Sequence, residues 1–172
     1  MSVLFTIGYE GTDIDRFIKT LKEVGVQQLV DVRAVTVSRK KGFSKRGLAA
    51  RLEEEGISYL HLVDLGDPKP GREAARAGKM EEFRRIYTAH LSGQEAQAAL
   101  HELTLYAALR ATCLLCYERN PVECHRSIVA AEVCEALGWE QFPLYADDPS
   151  RYVRNSKDLP RFYPRQGVAA AE

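Results

Sequence analysis

Apolar and polar positions along the chain fall into two alternating regimes. Short apolar runs rich in β-branched and aromatic residues occur at 3–7, 27–32, 57–62, 111–117 and 140–145, the pattern of strands buried on both faces. Between them apolar residues recur at helical spacing: Ile14, Phe17, Ile18 and Leu21 mark one face of a helix over 13–24 that Gly25 ends. The same reasoning predicts helices over 45–55 (capped by Ser44, stopped by Gly56), 80–91, 93–110 and 121–137, the last stopped by Gly138. Residues 64–79, rich in Gly, Pro and charge, read as an exposed loop with one helical turn. Strands alternating with helices predict an α/β fold: a single-domain three-layer sandwich with a mostly parallel sheet of about five strands and helices on both faces. Right-handed crossovers favour the strand order 3-2-1-4-5, with the first and fourth strands adjacent at the switch point. The α/β domain is expected over 1–146, followed by a basic and aromatic C-terminal arm over 147–172 with a frayed end.

A chain of 172 residues with 45% hydrophobic and 28% charged residues suits one domain with a substantial core. It has no apolar run long enough to span a membrane and no signal-peptide pattern at its start. Four cysteines without the spacing of a disulfide framework suit a reducing cytoplasm. Net charge is zero but unevenly spread. Residues 33–51 hold seven basic and no acidic residues, and 151–165 hold five basic residues and one acidic. Local patches of this kind, rather than the total, attract an anionic partner.

The densest chemistry lies in 116–126, Cys-Tyr-Glu-Arg-Asn-Pro-Val-Glu-Cys-His-Arg. Asn120 reads as an N-cap, Pro121 as the first helical residue, and Glu123 completes a capping-box spacing. A helix starting there sets Cys124, His125 and Arg126 near its first turn, where free N–H groups and the positive dipole end favour anions and thiolates. Glu118 sits in the strand-to-helix loop at the same end of the sheet. The bland alternative is that Cys124 is a small buried hydrophobe, Glu118 a backbone cap and Arg126 its ion partner. Cys113-x-x-Cys116 followed by Cys124-His125 also spells four zinc ligands. Residues three apart on a strand point to opposite faces, however, so no metal and no cofactor is expected.

Other positions add to the crevice. Gly8-x-x-Gly11 is either a tight turn or a partial phosphate loop. Asp31 and Arg33, two apart on a strand, share a face and either pair with each other or hold a polar substrate. Ser38 and Arg39 either meet phosphate or form solvated surface. The arm interleaves Tyr152, Phe162 and Tyr163 with Arg151, Arg154, Lys157, Arg161 and Arg165. That mixture suits single-stranded nucleic acid, a fold-back over its own domain, or contact with a partner in a homodimer.

Thr6-Ile7-Gly8-Tyr9, Leu29-Val30-Asp31-Val32-Arg33, Ser38-Arg39 with Phe43-Ser44, Leu65-Gly66 and the 116–126 segment occur in that order. Together they resemble the prokaryotic domain-of-unknown-function family 488, over roughly residues 3–144. The Glu-x-x-Pro-x-x-Cys-His-Arg string is the most specific part. The resemblance implies a small cytoplasmic α/β domain whose activity is not established. It carries Tyr9, Asp31, Arg33, Ser38, Arg39, Glu118, Cys124, His125 and Arg126 over as motif positions. Where the family's pattern often has proline after the Asp-Val-Arg string, this chain has Ala34-Val35-Thr36-Val37.

The resulting expectation is a hydrolase-type enzyme acting on a phosphorylated or nucleotide-like substrate. Glu118, Asp31, Cys124 and His125 are the candidate catalytic residues, with Glu118 ranked above Cys124. Tyr9, Arg33, Ser38, Arg39 and Arg126 are the candidate substrate-binding residues. The partners expected are an anionic small molecule or nucleic acid, and no membrane. The alternatives are a non-catalytic nucleic-acid-binding module using the basic loop 39–46 and the arm, and a small-ligand sensor.

Overall fold

A computed structural model of the chain describes residues 2–162. Tyr163, Arg165 and the frayed end expected at 167–172 lie outside them. Five strands, β1 (Val3–Gly8), β2 (Gln28–Asp31), β3 (Ser58–His61), β4 (Thr112–Cys116) and β5 (Glu140–Tyr145), form one all-parallel sheet in the order β3-β2-β4-β1-β5. The helices are α1 (Ile14–Glu23), α2 (Lys45–Glu54), α3 (Lys69–Arg76), α4 (Met80–Leu91), α5 (Gln94–Leu109), α6 (Arg126–Leu137) and α7 (Ser150–Arg154). None of them is long and apolar enough to cross a membrane.

Alternation along the strands builds two cores. Phe5, Ile7, Leu29, Cys113 and Leu115 pack with Phe17, Leu21, Leu48 and Leu52 of α1 and α2. Leu4, Val30, Val32 and Leu114 pack with Phe83, Tyr87, Leu103 and Val129 of α4, α5 and α6 on the other face. Each strand therefore needs apolar residues at consecutive positions, which is why the runs are continuous rather than alternating.

The order differs from 3-2-1-4-5 in one exchange: β4 sits between β2 and β1, and β5 pairs with β1. β1 and β4 are equally apolar runs, so pattern alone does not choose which takes the centre. The adjacency of β1 and β4 holds, with Gly8 opposite Cys116. Beyond β1 the chain goes to α1 on one face, and beyond β4 to α6 on the other. This is the switch point beside which open parallel sheets place their crevices.

Two local differences shape that crevice. Lys69–Arg76 is a two-turn helix rather than loop. Pro70 is tolerated in its first turn, where N–H groups have no helical partner, and Gly71 lets the helix close onto Asp67, whose Oδ1 would lie 2.2 Å from any added Cβ. The helix expected from Pro121 is broken. Pro121–Glu123 is a single 3-10 turn capped by Asn120 Oδ1, Cys124 is extended (φ −132°, ψ 145°), and α6 begins only at Arg126. Gly138 ends α6 in the left-handed conformation.

In the arm, Tyr152 is buried in the α1–α2 core and its hydroxyl accepts from Tyr145 N–H at 2.7 Å. Phe162 meets Trp139 edge-on. The described part of the arm folds back on its own domain.

Candidate functional site

The loops after β1 and β4 are laced together. Glu10 N–H donates to Tyr117 O at 2.9 Å, and Arg119 N–H donates to the Glu10 carboxylate at 2.9 Å. Gly8 packs directly under the Glu118 peptide, where a Cβ would fall 1.8 Å from Glu118 O. The glycine is needed for this close approach, so the tight-turn reading of Gly8 fits better than a phosphate loop. Beside it opens a cavity of about 850 Å³. Its walls include Tyr9 and Arg33, the α3 side chains Lys69, Arg72 and Arg76, and Phe83 of α4; Cys116, Glu118, Cys124 and His125 form the floor.

His125 organises the floor. Its Nε2 lies 2.6 Å from the Val32 carbonyl oxygen. A carbonyl only accepts, so Nε2 carries a proton and Nδ1 faces the thiols, 3.7 Å from Cys116 Sγ and 3.9 Å from Cys124 Sγ. The Tyr87 ring packs against the imidazole at 5.0 Å, and its hydroxyl is fixed on Leu65 O. Cys116 Sγ also lies 3.1 Å from Glu118 Oε2 and donates to it. Burial pushes the Cys124 thiol well above its usual range, and the contact with Cys116 adds to the effect. Cys124 is thus protonated at neutral pH unless a cation replaces its proton.

The helix break matters for the chemistry. In a continuous helix Cys124 and His125 would diverge by about 100°. Extended backbone at Cys124 instead brings its sulfur to the same side as the imidazole ring.

Asp31 is fully buried and saturated. It accepts from Arg33 Nε at 2.9 Å and Nη2 at 2.7 Å, from Arg33 N–H at 3.0 Å, and from the Tyr59 hydroxyl at 2.5 Å. The two-residue spacing puts them on one side as expected, but Asp31 has no oxygen turned to the cavity and does not line it. Arg33 does line it, with Nη1 on Phe43 O at 2.8 Å and on the Tyr9 hydroxyl at 3.3 Å. Tyr9 stacks on Phe43 at 4.5 Å.

Arg126 is likewise a scaffold residue here. It is completely buried, its Nη1 donates to Glu118 O and its Nη2 to Arg119 O at 3.2 Å, so it clamps the β4–α6 loop from beneath. Ser38 exchanges hydrogen bonds with Ser44 and accepts from Lys40 N–H, while Arg39 is exposed; neither lines the cavity. The structure thus brings Tyr9, Arg33, Glu118, Cys124 and His125 together and leaves Asp31, Arg126, Ser38 and Arg39 outside.

The family model described as "Domain of unknown function DUF488" matches residues 13–133. The chain belongs to the DUF488 family. No curated protein and no solved structure matches it significantly. The DUF488 match spans α1 to most of α6, including the floor residues, while Gly8 and Tyr9 on β1 and its loop precede it.

Several wall residues had no sequence signal. Asp67 is buried, its Oδ1 has no hydrogen-bond partner among the described residues, and burial raises its pKa. Arg72 is held by Asp67 O at 2.5 Å. Cys116 opens the 116–126 segment, but its sequence pairing with Cys113 fails, because Cys113 points into the opposite core.

Proposed function

We propose that this DUF488 protein is a hydrolase-type enzyme acting on a phosphorylated or nucleotide-like molecule. The observation that carries the reading is the meeting of the Cys116 thiol, the Glu118 carboxylate and the oriented His125 ring in a cavity that three cations of α3 also line. A volume near 850 Å³ suits a ligand of nucleotide size. Lys69, Arg72 and Arg76 would hold the anionic end, and Arg33 contributes less because Asp31 neutralises it. Glu118, whose Oε1 accepts no hydrogen bond from the described residues, would move the proton as general acid or base. Cys116 and His125 would orient it or supply the nucleophile.

The binding-module alternative rests on Arg39, Lys41 and Arg46, which are exposed and form no ion pair among the described residues. The arm supports it less: Arg151 and Arg154 pair with Asp147 and Asp148, and Tyr152 is buried.

A thermal-shift screen of wild type and Glu118→Gln against nucleotides, nucleosides, phosphosugars and short single-stranded oligonucleotides, followed by turnover assays on hits, tests the proposal. A small phosphorylated hit at 100 times its Kd stabilises by about 2.7 kcal/mol, roughly 5–10 °C for a chain of this size. Glu118→Gln should keep binding and lose turnover by about 10²–10⁴-fold. Stabilisation only by oligonucleotides, equal in both proteins and abolished by salt, would replace the enzyme with the binding module. Small-molecule stabilisation without turnover would replace it with a sensor.

A further inference from the structure

We propose that Cys116, Cys124 and His125 form a binding site for a thiophilic metal ion, with zinc(II) as its occupant, opening toward the cavity. Their ligand atoms all lie within 4.8 Å of one another. Tetrahedral zinc, with bonds of about 2.3 Å to sulfur and 2.0–2.1 Å to nitrogen, sets a sulfur and a nitrogen donor about 3.6 Å apart. The two sulfur-to-Nδ1 distances here are 3.7 and 3.9 Å. The imidazole already has the orientation that ligation needs. Its outer nitrogen donates to the Val32 carbonyl at 2.6 Å, the partner that fixes the tautomer of a ligating histidine. A further contact suits a thiolate: Arg126 N–H points at Cys124 Sγ from 3.4 Å.

The set differs from the Cys113-x-x-Cys116 pattern of the sequence. Cys113 lies in the opposite core. Two thiols and one imidazole leave the fourth position of a tetrahedron for Glu118, 3.1 Å from Cys116 Sγ, or for a water or substrate atom from the cavity. That is the three-ligand, open composition of catalytic rather than structural zinc. On binding, Cys116 and Cys124 each lose the thiol proton and His125 loses any proton on Nδ1, all to solvent. The inference is independent of the hydrolase reading, because metal binding is measured without any substrate.

Reduced, chelator-treated full-length protein titrated with cobalt(II), then zinc(II), provides the test. The expected result is one equivalent bound, with thiolate-to-cobalt charge transfer in the near ultraviolet and intense tetrahedral bands in the visible, both bleached by zinc. Cys134→Ser, a buried free thiol on α6 outside the cluster, should behave as wild type. Cys116→Ser, Cys124→Ser and His125→Gln should weaken binding by more than the roughly 10–100-fold that loss of an orienting partner costs. Absence of the thiolate band in wild type overturns the proposal, and needs no variant to fold. So does a band that survives in folded Cys116→Ser and Cys124→Ser, as judged by circular dichroism. Failure of the turnover assays with the cobalt signature intact would remove the hydrolase and leave the metal site standing.

Discussion

Gly8→Ala is the sharpest test of how the site is held together. The added Cβ would lie 1.8 Å from Glu118 O, 2.5 Å from Glu118 C and 3.0 Å from Tyr117 O, all main-chain atoms. No side-chain rotation relieves such a contact, and the Glu118 peptide must retreat by about 1.2 Å simply to reach 3.0 Å. It is not free to do so. Glu118 O accepts from the buried Arg126 guanidinium, Tyr117 O from Glu10 N–H, and Arg119 N–H is held by the Glu10 carboxylate. Overpacking of this kind costs about 1–3 kcal/mol. At about 2–4 °C per kcal/mol for a chain of this size, Tm should fall by roughly 2–12 °C. A displacement of about 1 Å at the Glu118 peptide should also cost about 10²-fold in any turnover found at the site. Gly47→Ala is the matched control. Gly47 lies within α2 with open space around its Cβ position, so alanine should be neutral or stabilise by up to about 1 kcal/mol. Calorimetry and urea melts of both variants decide the matter. A Gly8→Ala protein that melts with wild type would mean that the β4–α6 loop is not anchored on β1, and the account of the floor would fail with it.

Two further perturbations probe the charges around the cavity. Asp31→Ala strips the buried Arg33 guanidinium of its carboxylate and the Tyr59 hydroxyl of its acceptor; it should cost about 3–5 kcal/mol in chemical denaturation, and a loss below about 1 kcal/mol would show that the pair is not desolvated as described. Burial raises the pKa of Asp67, so the fold favours its protonated form. Below the unfolded value, near 3.8, this group does not disfavour folding; as pH rises through the window between that value and the raised one, its ionisation lowers stability. Asp67→Asn should therefore raise Tm at neutral pH and lose that advantage in acid. An equal Tm at pH 7, or a gain confined to low pH, would contradict the reading.

How far the site was legible in the sequence depends on how local its causes are. Strand β5 and helix α4 occupy the spans that periodicity predicts, 140–145 and 80–91, because their patterns are set within a few residues. Asp31 and Arg33 share a side because strand geometry puts residues two apart together; that the partners saturate each other depends on Tyr59 and Phe43, from elsewhere in the chain. Helix α3 was hidden because Lys69-Pro70-Gly71 looks like a turn, although Pro in the first turn and Gly against Asp67 are what its docking requires. With it went Arg72 and Arg76. Arg126 was placed at the site by its charge, yet its burial beneath two carbonyls follows from loop closure rather than from neighbours in sequence.

The decisive case is the break at Cys124. Asn120-Pro121-Val122-Glu123 is a sound helix-start signature, and it does start a turn. The same signature is compatible with one 3-10 turn or with a long helix, and nothing within ten residues chooses between them. In the structure the break coincides with the bond from the His125 ring to Val32 O, 93 positions earlier in the chain. That bond holds the ring on the floor beside β4, where a continuous helix would turn it about 100° away from Cys124. The local conformation of Cys124 and the tertiary position of His125 therefore go together, and so do the two sulfur-to-nitrogen distances on which the metal site depends. His125→Phe, which retains a ring of similar breadth but cannot donate to Val32, should let residues 121–126 relax toward continuous helix. Hydrogen exchange should then show added protection at the amides of Cys124 and His125. Unchanged exchange there would mean that the break is set locally after all, by the Asn120-Pro121 turn alone.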